Sequence, residues 1–284
     1  MAAASDKGQL AGDRMKRWNG WSGIAALFSI LGVLAFAAPA RAQFGPNAGP
    51  PPPKLNPHTD APFDPSGYWV AVVTEDWRYR MVTPDKGDFP GVPVNAEGRK
   101  IAEEWDPAKD QASGNACKAY GAAAIMRVPE RLHISWVNDD TLRVETDAGE
   151  QTRIFHFDET KPPSGPPTWQ GYSVAGWEGM RPRGRVVPVA QGTPAAAKPK
   201  EEGYMKVMTT HVRPGYIRKN GVPYSANTSV EEYFDSFEER GITWLVVTTI
   251  VHDPEYLAQP YITSSQFKKQ ADNAGWNPTP CEAK

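Results

Sequence analysis

The chain has 284 residues, with 31 basic and 33 acidic side chains, a formal charge of −2, and 40% hydrophobic residues. That length holds one large domain with a substantial core. The mildly acidic balance, with no basic run, argues against nucleic acid or anionic lipid as a partner.

Met15-Lys16-Arg17 gives a basic start, residues 24–38 form a short apolar run, and Ala40-Arg41-Ala42 supplies a small-x-small cleavage pattern. Together they describe a secretory signal peptide over residues 1–42, too short for a comfortable membrane span, with an uncleaved anchor as the alternative. Residues 1–14 are a polar, non-native-looking extension ahead of Met15. No paired-arginine signature and no cysteine at the cleavage site is present, so the route is Sec-type, to the periplasm or the medium. Cleavage before Gln43 removes five basic and two acidic groups and moves the formal charge to −5. No membrane span is expected in the mature protein.

Cys117 and Cys281 are the two cysteines. In an oxidising compartment they are expected to form one disulfide tying the tail to the body. Neither has a Cys-x-x-Cys partner, and the five histidines show no His-x-His, His-x-x-His or His-x-x-x-His spacing. No metal site and no cofactor is expected.

Residues 43–64 are rich in proline and are read as an extended tether, with the folded domain over 65–284. Residues 66–81 are read as the first strand. Trp69, Ala71 and Val73 alternate with Tyr68, Val70 and Val72, so both faces are apolar. Farther along, Asp76, Arg78 and Arg80 share one face and Trp77, Tyr79 and Met81 the other. That interleave grips an anionic or planar ligand, or is a solvated arginine face over an aromatic core face. Asn95 caps a helix that ends before Asp106-Pro107. Residues 114–126 are rich in small side chains and carry no clear pattern.

Residues 131–137, 141–147 and 151–157 form a three-strand meander. Three-residue turns set Trp136 against Leu142, Ile134 against Val144, and Val144 against Ile154, keeping one face apolar. That register aligns His133, Glu145 and Arg153 on the opposite face. They are a base, its orienter and an anion clamp, or a cross-strand charge ladder facing water.

Residues 168–178 read as a strand, and 179–203, with three prolines and an alanine run, as a flexible surface insertion. The last third is strand-rich at 204–213, 228–237, 242–252 and 261–267, with turns at Pro214-Gly215, Asn220-Gly221 and Glu239-Arg240-Gly241. His211 and Arg213 share a strand end, where Tyr216 and Tyr224 follow after turns.

About eight to nine consecutive strands with short turns argue for an all-β, antiparallel up-and-down barrel with one or two short inserted helices. Ser66-Gly67-Tyr68-Trp69 resembles the Gly-x-Trp start of lipocalin-like (calycin) barrels, in which the tryptophan closes one barrel end. The longer pattern resembles a family of exported bacterial proteins of uncharacterised function. It rests on Trp169 to Gly179, Arg218-Lys-Asn-Gly-Val-Pro-Tyr-Ser225, Glu232-Tyr-Phe, and Asp253-Pro-Glu-Tyr followed by Pro260. The resemblance implies a periplasmic location and a lipocalin-like fold, and no catalytic residue.

The expected function is binding of a small, partly apolar molecule in a barrel cavity, with Trp77, Arg78, Arg80, Arg153, Arg213, Tyr216 and Tyr224 as candidate contacts. The alternatives are a hydratase, isomerase or cyclase using His211, His133 and Glu145, and an interaction protein of the envelope. Oligomeric state is left open. No Gly-x-Ser-x-Gly elbow, phosphate loop or dinucleotide fingerprint occurs.

Overall fold

The computed structural model describes residues 55–157, 162, 164–180 and 203–283. The expected leader, residues 43–54 of the tether and residues 181–202 of the insertion lie outside the described residues. The strands are β1 (Gly67–Val72), β2 (Arg131–Asn138), β3 (Thr141–Thr146), β4 (Thr152–His156), β5 (Tyr172–Glu178), β6 (Tyr204–Thr210), β7 (Gly215–Tyr216), β8 (Pro223–Tyr224), β9 (Ser229–Glu239), β10 (Ile242–His252) and β11 (Tyr261–Gln270). Nine of them close a barrel in chain order, with β11 returning to pair with β1, while β7 and β8 form a separate hairpin. The helices are short: α1 (Trp77–Met81), α2 (Ala96–Glu103) and α3 (Pro107–Ala112). None among the described residues is long and apolar enough to cross a membrane.

All neighbours in the ring are antiparallel except β4 and β5. An odd ring cannot alternate direction all the way round, so one parallel seam is obligatory. It is thin here, with only Phe155↔Ser173 and His156↔Val174 in register.

The interior is a packed core. Trp69, Leu132, Ile134, Leu142, Val144, Phe155, Met205, Val207, Phe234, Leu245, Val247 and Phe267 are buried side chains of this one cluster. One barrel end, where β2, β4, β5, β9 and β11 begin, is plugged by the chain between α3 and β2. Its two 3₁₀ turns, Ala116–Tyr120 and Ile125–Arg127, drive Tyr120, Ile125 and Met126 into that core. Small residues make this possible: a Cβ on Gly121 would sit 2.1 Å from the Tyr224 hydroxyl. The plug's other side joins a second cluster that includes Phe89, Val94, Ala102, Val222, Tyr224, Leu257 and Tyr261. At the opposite end, residues 56–64 of the expected tether and Pro65 after them pack down. His58 stacks on Trp136 at 4.7 Å, Phe63 meets Trp177 edge-on, and the Trp69 indole donates to the Pro65 carbonyl at 2.9 Å.

Cys117 and Cys281 are bonded, with Cα atoms 5.1 Å apart, fastening the tail to the plug. The tail also places Thr279 beside Ala148 and Trp276 edge-on to Tyr68.

Two expectations are corrected. The strand expected over 66–81 stops at Val72. Asp76 takes a left-handed conformation (φ 49°) and α1 follows, so residues 77–81 have helical rather than alternating geometry. Arg80 is therefore buried while Trp77 and Met81 are exposed, the reverse of the sorting by polarity. The second correction is the β3–β4 register. The β2–β3 pairing is as expected, with Trp136 opposite Leu142 and Ile134 opposite Val144. Across β3–β4, however, Val144 faces Arg153, not Ile154. The turn holds four residues, 147–150, with positive φ at Gly149 and Glu150 and with Asp147 accepting from the Arg131 and Ala148 amides. The extra residue flips Arg153 from the outer face to the interior.

Inside, Arg153 donates to both Glu232 oxygens at 3.0 and 2.6 Å and to the Thr209 hydroxyl at 3.2 Å. Thr209 is in turn 2.7 Å from Ser173. The charges compensate each other, which is how a guanidinium tolerates complete burial. Removing one partner strands the other in a medium that cannot solvate it. Glu232→Leu should cost about 3–5 kcal/mol in urea unfolding, and Arg153→Met combined with Glu232→Leu should recover most of that loss. A double variant no better than the single one would show that the pair does not act as a unit.

Candidate functional site

The side chains that could meet a ligand gather at the plugged end. The β7–β8 hairpin folds over the plug and is held from three directions. Asn220 donates to the Asp85 and Asp88 carbonyls at 3.0 Å each. Asp253 accepts from the Ser225 amide at 2.5 Å, from the Thr228 hydroxyl, and from the Glu255 and Tyr256 amides at 2.8 and 2.7 Å. Burial alone would raise the Asp253 carboxyl, but these donors hold it below the usual carboxylate range. Gly221 turns the hairpin with φ 85°, and a Cβ there would lie 2.3 Å from the Trp105 side chain.

This framework points Arg218 back over the plug. It meets Arg80 from α1 and Arg127 from the second 3₁₀ turn in a cleft walled by Tyr79, Ala119, Ala124, Val128, Ile217 and Lys219. The cleft is shallow and open to solvent, with about 30 Å3 of space between its walls. All three arginines are at least nine-tenths buried. Arg80 donates its Nε to the Arg127 carbonyl at 3.0 Å and reaches Glu75 at 3.5 Å, while Arg127 pairs with Asp76 at 3.0 Å. Arg218 lies 4.7 Å from the Tyr79 ring centroid, a cation–π contact. Buried Arg80 Nη2, Arg218 Nε and Arg218 Nη1 have no hydrogen-bond partner. Burial, then the nearby Arg127 charge, lowers the Arg80 pKa, against the opposing pull of Glu75, Asp76 and Glu130.

Beside this cleft, a smaller one is lined by Trp105, Asp110, Asn115, Lys118, Tyr216 and Lys219. Lys118 reaches Asp110 at 2.5 Å and the Tyr216 hydroxyl at 3.2 Å, and Tyr216 donates to Asp110 at 2.7 Å. Burial and that hydrogen bond raise the Tyr216 pKa, so it stays a phenol. The three groups satisfy one another.

The residues singled out from the sequence are dispersed. Arg80 is in the arginine cleft. Arg78 and Trp77, from the same short helix, are exposed, and Arg78 is 3.4 Å from Asp88. Tyr216 lines the smaller cleft, and Tyr224 is buried beneath it between Gly121 and Gly215. Arg213 lies over the Trp169 ring at 4.1 Å and donates to Asn115. His211, at φ 59°, leaves the strand path and contacts the Gly165 carbonyl at 2.8 Å. His133 and Glu145 do pair, at 2.9 Å, on the outer face, where Tyr68 stacks on the imidazole at 4.3 Å. Arg153, the third member of that expected row, is inside the barrel. Sequence reasoning missed Arg127, Arg218 and Lys219 as site residues. The available signal was an arginine within an apolar run, Ile125-Met-Arg-Val128, and another in the turn-rich Arg218-Lys-Asn-Gly221.

Glu130, immediately before β2, is also buried, and neither carboxyl oxygen has a hydrogen-bond partner of good geometry. Burial, then the Asp147 charge, pushes its pKa well above the usual range, with Arg153, Thr146 and Lys219 opposing in part. Among the described residues no cluster of three metal-ligating side chains occurs. No family model, no curated protein and no solved structure matches the chain.

The buried Glu130 carboxyl makes the stability of the fold depend on pH. The native state holds a proton that the unfolded chain releases near pH 4.3, so stability falls as pH rises from there toward the raised native pKa. Glu130→Gln should remove that decline and be the more stable protein at neutral pH in urea unfolding. Parallel pH profiles for the two proteins would contradict this account.

Proposed function

We propose that the protein is an exported, lipocalin-like binding protein that holds a small, partly apolar molecule at the plugged mouth of its barrel. The observation that carries this reading is the arginine cleft. Three buried guanidiniums on α1, the plug and the β7–β8 hairpin share a concave surface with aromatic and aliphatic walls, and some of their donors lack protein partners. Buried polar groups are normally satisfied, and leaving one unpaired costs about 1–3 kcal/mol. A site built this way is incomplete without something in it.

The barrel interior supports the mouth as the location, because side chains fill it and Arg153 and Glu232 occupy its polar centre. Export is supported by the leader pattern at 1–42 and by a disulfide of the kind that persists in oxidising compartments. The Gly67-Tyr-Trp69 start, with Trp69 buried beneath Pro65, supports the lipocalin-like assignment. An acid–base enzyme finds less support, since His133 and His211 lie on separate surfaces and Arg153 is enclosed.

Native mass spectrometry of protein isolated from its own host's envelope fraction should show a bound small molecule that denaturation releases. An organic extract of the same cells should raise the melting temperature of stripped protein, and Arg218→Gln should abolish both effects. No mass excess together with no melting shift would overturn the proposal.

A further inference from the structure

We infer that the outward face of β10 is a self-association surface, on which a second copy of this chain packs about a two-fold axis lying along the strand. This goes beyond the binding reading and does not rest on the arginine cleft.

A barrel strand with one face in water carries apolar side chains inward and polar ones outward. β3 obeys that rule, with Leu142 and Val144 inside and Arg143 and Glu145 outside. β10 does not. Leu245, Val247, Thr249 and Val251 are buried, while the alternate residues Ile242, Trp244, Val246, Thr248 and Ile250 face outward and are partly exposed. None of these five belongs to either buried cluster, and Trp244 makes no ring contact or side-chain hydrogen bond among the described residues. The pairing widens the stripe. Phe237 of β9 lies beside Trp244 and Ile262 of β11 beside Ile250, and they are 42% and 62% exposed. A contiguous apolar face of this kind marks an interaction site. β9, β10 and β11 are each paired on both sides, so no strand edge is offered and a partner must pack face to face.

The charges beside the stripe choose the occupant. Asp235 on the β9 flank is exposed, Lys268 on the β11 flank is partly exposed, and neither has an ion pair among the described residues. The other β9 carboxylates on this face, Glu231 and Glu239, already have cations, Lys206 at 2.7 Å and Arg240 at 3.9 Å. Asp235 sits beside Val246 and Lys268 beside Trp244, so the two lie on opposite flanks one step apart along β10. A two-fold axis along the strand exchanges the flanks between copies. It brings Asp235 of each copy to the Lys268 side of the other, twice, while the apolar stripes meet at the centre. An axis across the strand would instead set carboxylate flank against carboxylate flank. An unlike partner would have to reproduce this one-sided arrangement, which a second copy supplies by symmetry. Four strands about 4.8 Å apart and nine residues rising about 3.4 Å each give a face of roughly 500 Å2 per copy. A pair would cover about 1,000 Å2, the size of a weak, reversible interface.

The test is sedimentation equilibrium of the processed protein from micromolar to submillimolar concentration at low salt. The mass should rise from one copy to two across that range and go no further, because a two-fold contact closes. Val246→Lys puts an ammonium at the centre of the stripe and should leave a monomer. Trp244→Lys should do the same, which guards against a folding defect peculiar to one site. Asp235→Lys and Lys268→Asp should each weaken association at least tenfold, since each sets like charges against one another across the contact. The protein carrying both exchanges should associate within threefold of the original, because each copy again offers the other the opposite charge. A change that merely damaged the fold would not be reversed in this way. A protein monomeric at every concentration overturns the inference, whether the face is then bare or belongs to a different protein. Dimers untouched by Val246→Lys and Trp244→Lys overturn it as well. If the double exchange associates no better than either single one, the two-fold along β10 is wrong, and the charge argument for a second copy falls with it.

Discussion

The ion pair between Arg153 and Glu232 occupies the polar centre of the barrel, and much of the remaining architecture is arranged around it. A guanidinium can stand in that interior only if a carboxylate meets it from across the barrel, 79 residues along the chain. That requirement agrees with a four-residue turn before β4, since a three-residue turn would send Arg153 outward and leave Glu232 alone inside. It also decides the use of space. With Arg153, Phe155, Phe234 and Trp69 enclosed, the interior is a core, not a container. Concave surface then has to be made at an end, from elements outside the ring.

The plugged end supplies those elements. Residues between α3 and β2 face two cores at once, with Ile125 and Met126 in the barrel cluster and Ala122 and Ala123 in the outer one. Small side chains are what allow backbone to pass between two packed layers. The disulfide fastens this plug to the tail, and Arg127 projects from it beside Arg80. Fixing the plug therefore also fixes one wall of the arginine cleft. The β7–β8 hairpin fixes the other wall through groups that do not face the cleft, chiefly Asp253 and Asn220. Rigid support from behind, with unpaired donors in front, is the arrangement expected where a site must keep its geometry while empty.

Much of the barrel was legible in the sequence because its signals are local. β10 matches its expected bounds, since Thr243 to Val251 is β-branched or apolar on both faces and Gly241 marks the turn before it. The β2–β3 register follows from matching apolar residues across one short turn. The β3–β4 register failed under the same rule because the rule assumes that an inward side chain is apolar. Arg153 breaks that assumption, and its compensating partner is too distant in sequence to be paired by pattern. α1 failed for a related reason. Alternation in Asp76 to Met81 implies a strand only if neighbouring strands extend alongside, and the β1 pairings end at Val72 with β11 and at Val70 with β2. Without a ladder partner the chain turns at Asp76, and burial follows the helix rather than polarity.

The cleft was half legible for the same physical reason. Arg80 drew notice because it sits among aromatic residues, whereas Arg127 and Arg218 lie far from it in sequence and meet it only through the plug and the hairpin. What unites them is an electrostatic cost that pattern does not display. Burying like charges together works against stability, and the fold bears that cost at one place, whereas Arg153 has its charge matched by Glu232 although its Nε, too, lacks a hydrogen-bond partner. Arg153 and Arg218 are thus the informative comparison. The first has a carboxylate on both ends of its fork and no access to solvent, and it belongs to the core. The second has an aromatic face, two unsatisfied nitrogens and an open side, and that difference is the reason to look for its partner outside the chain.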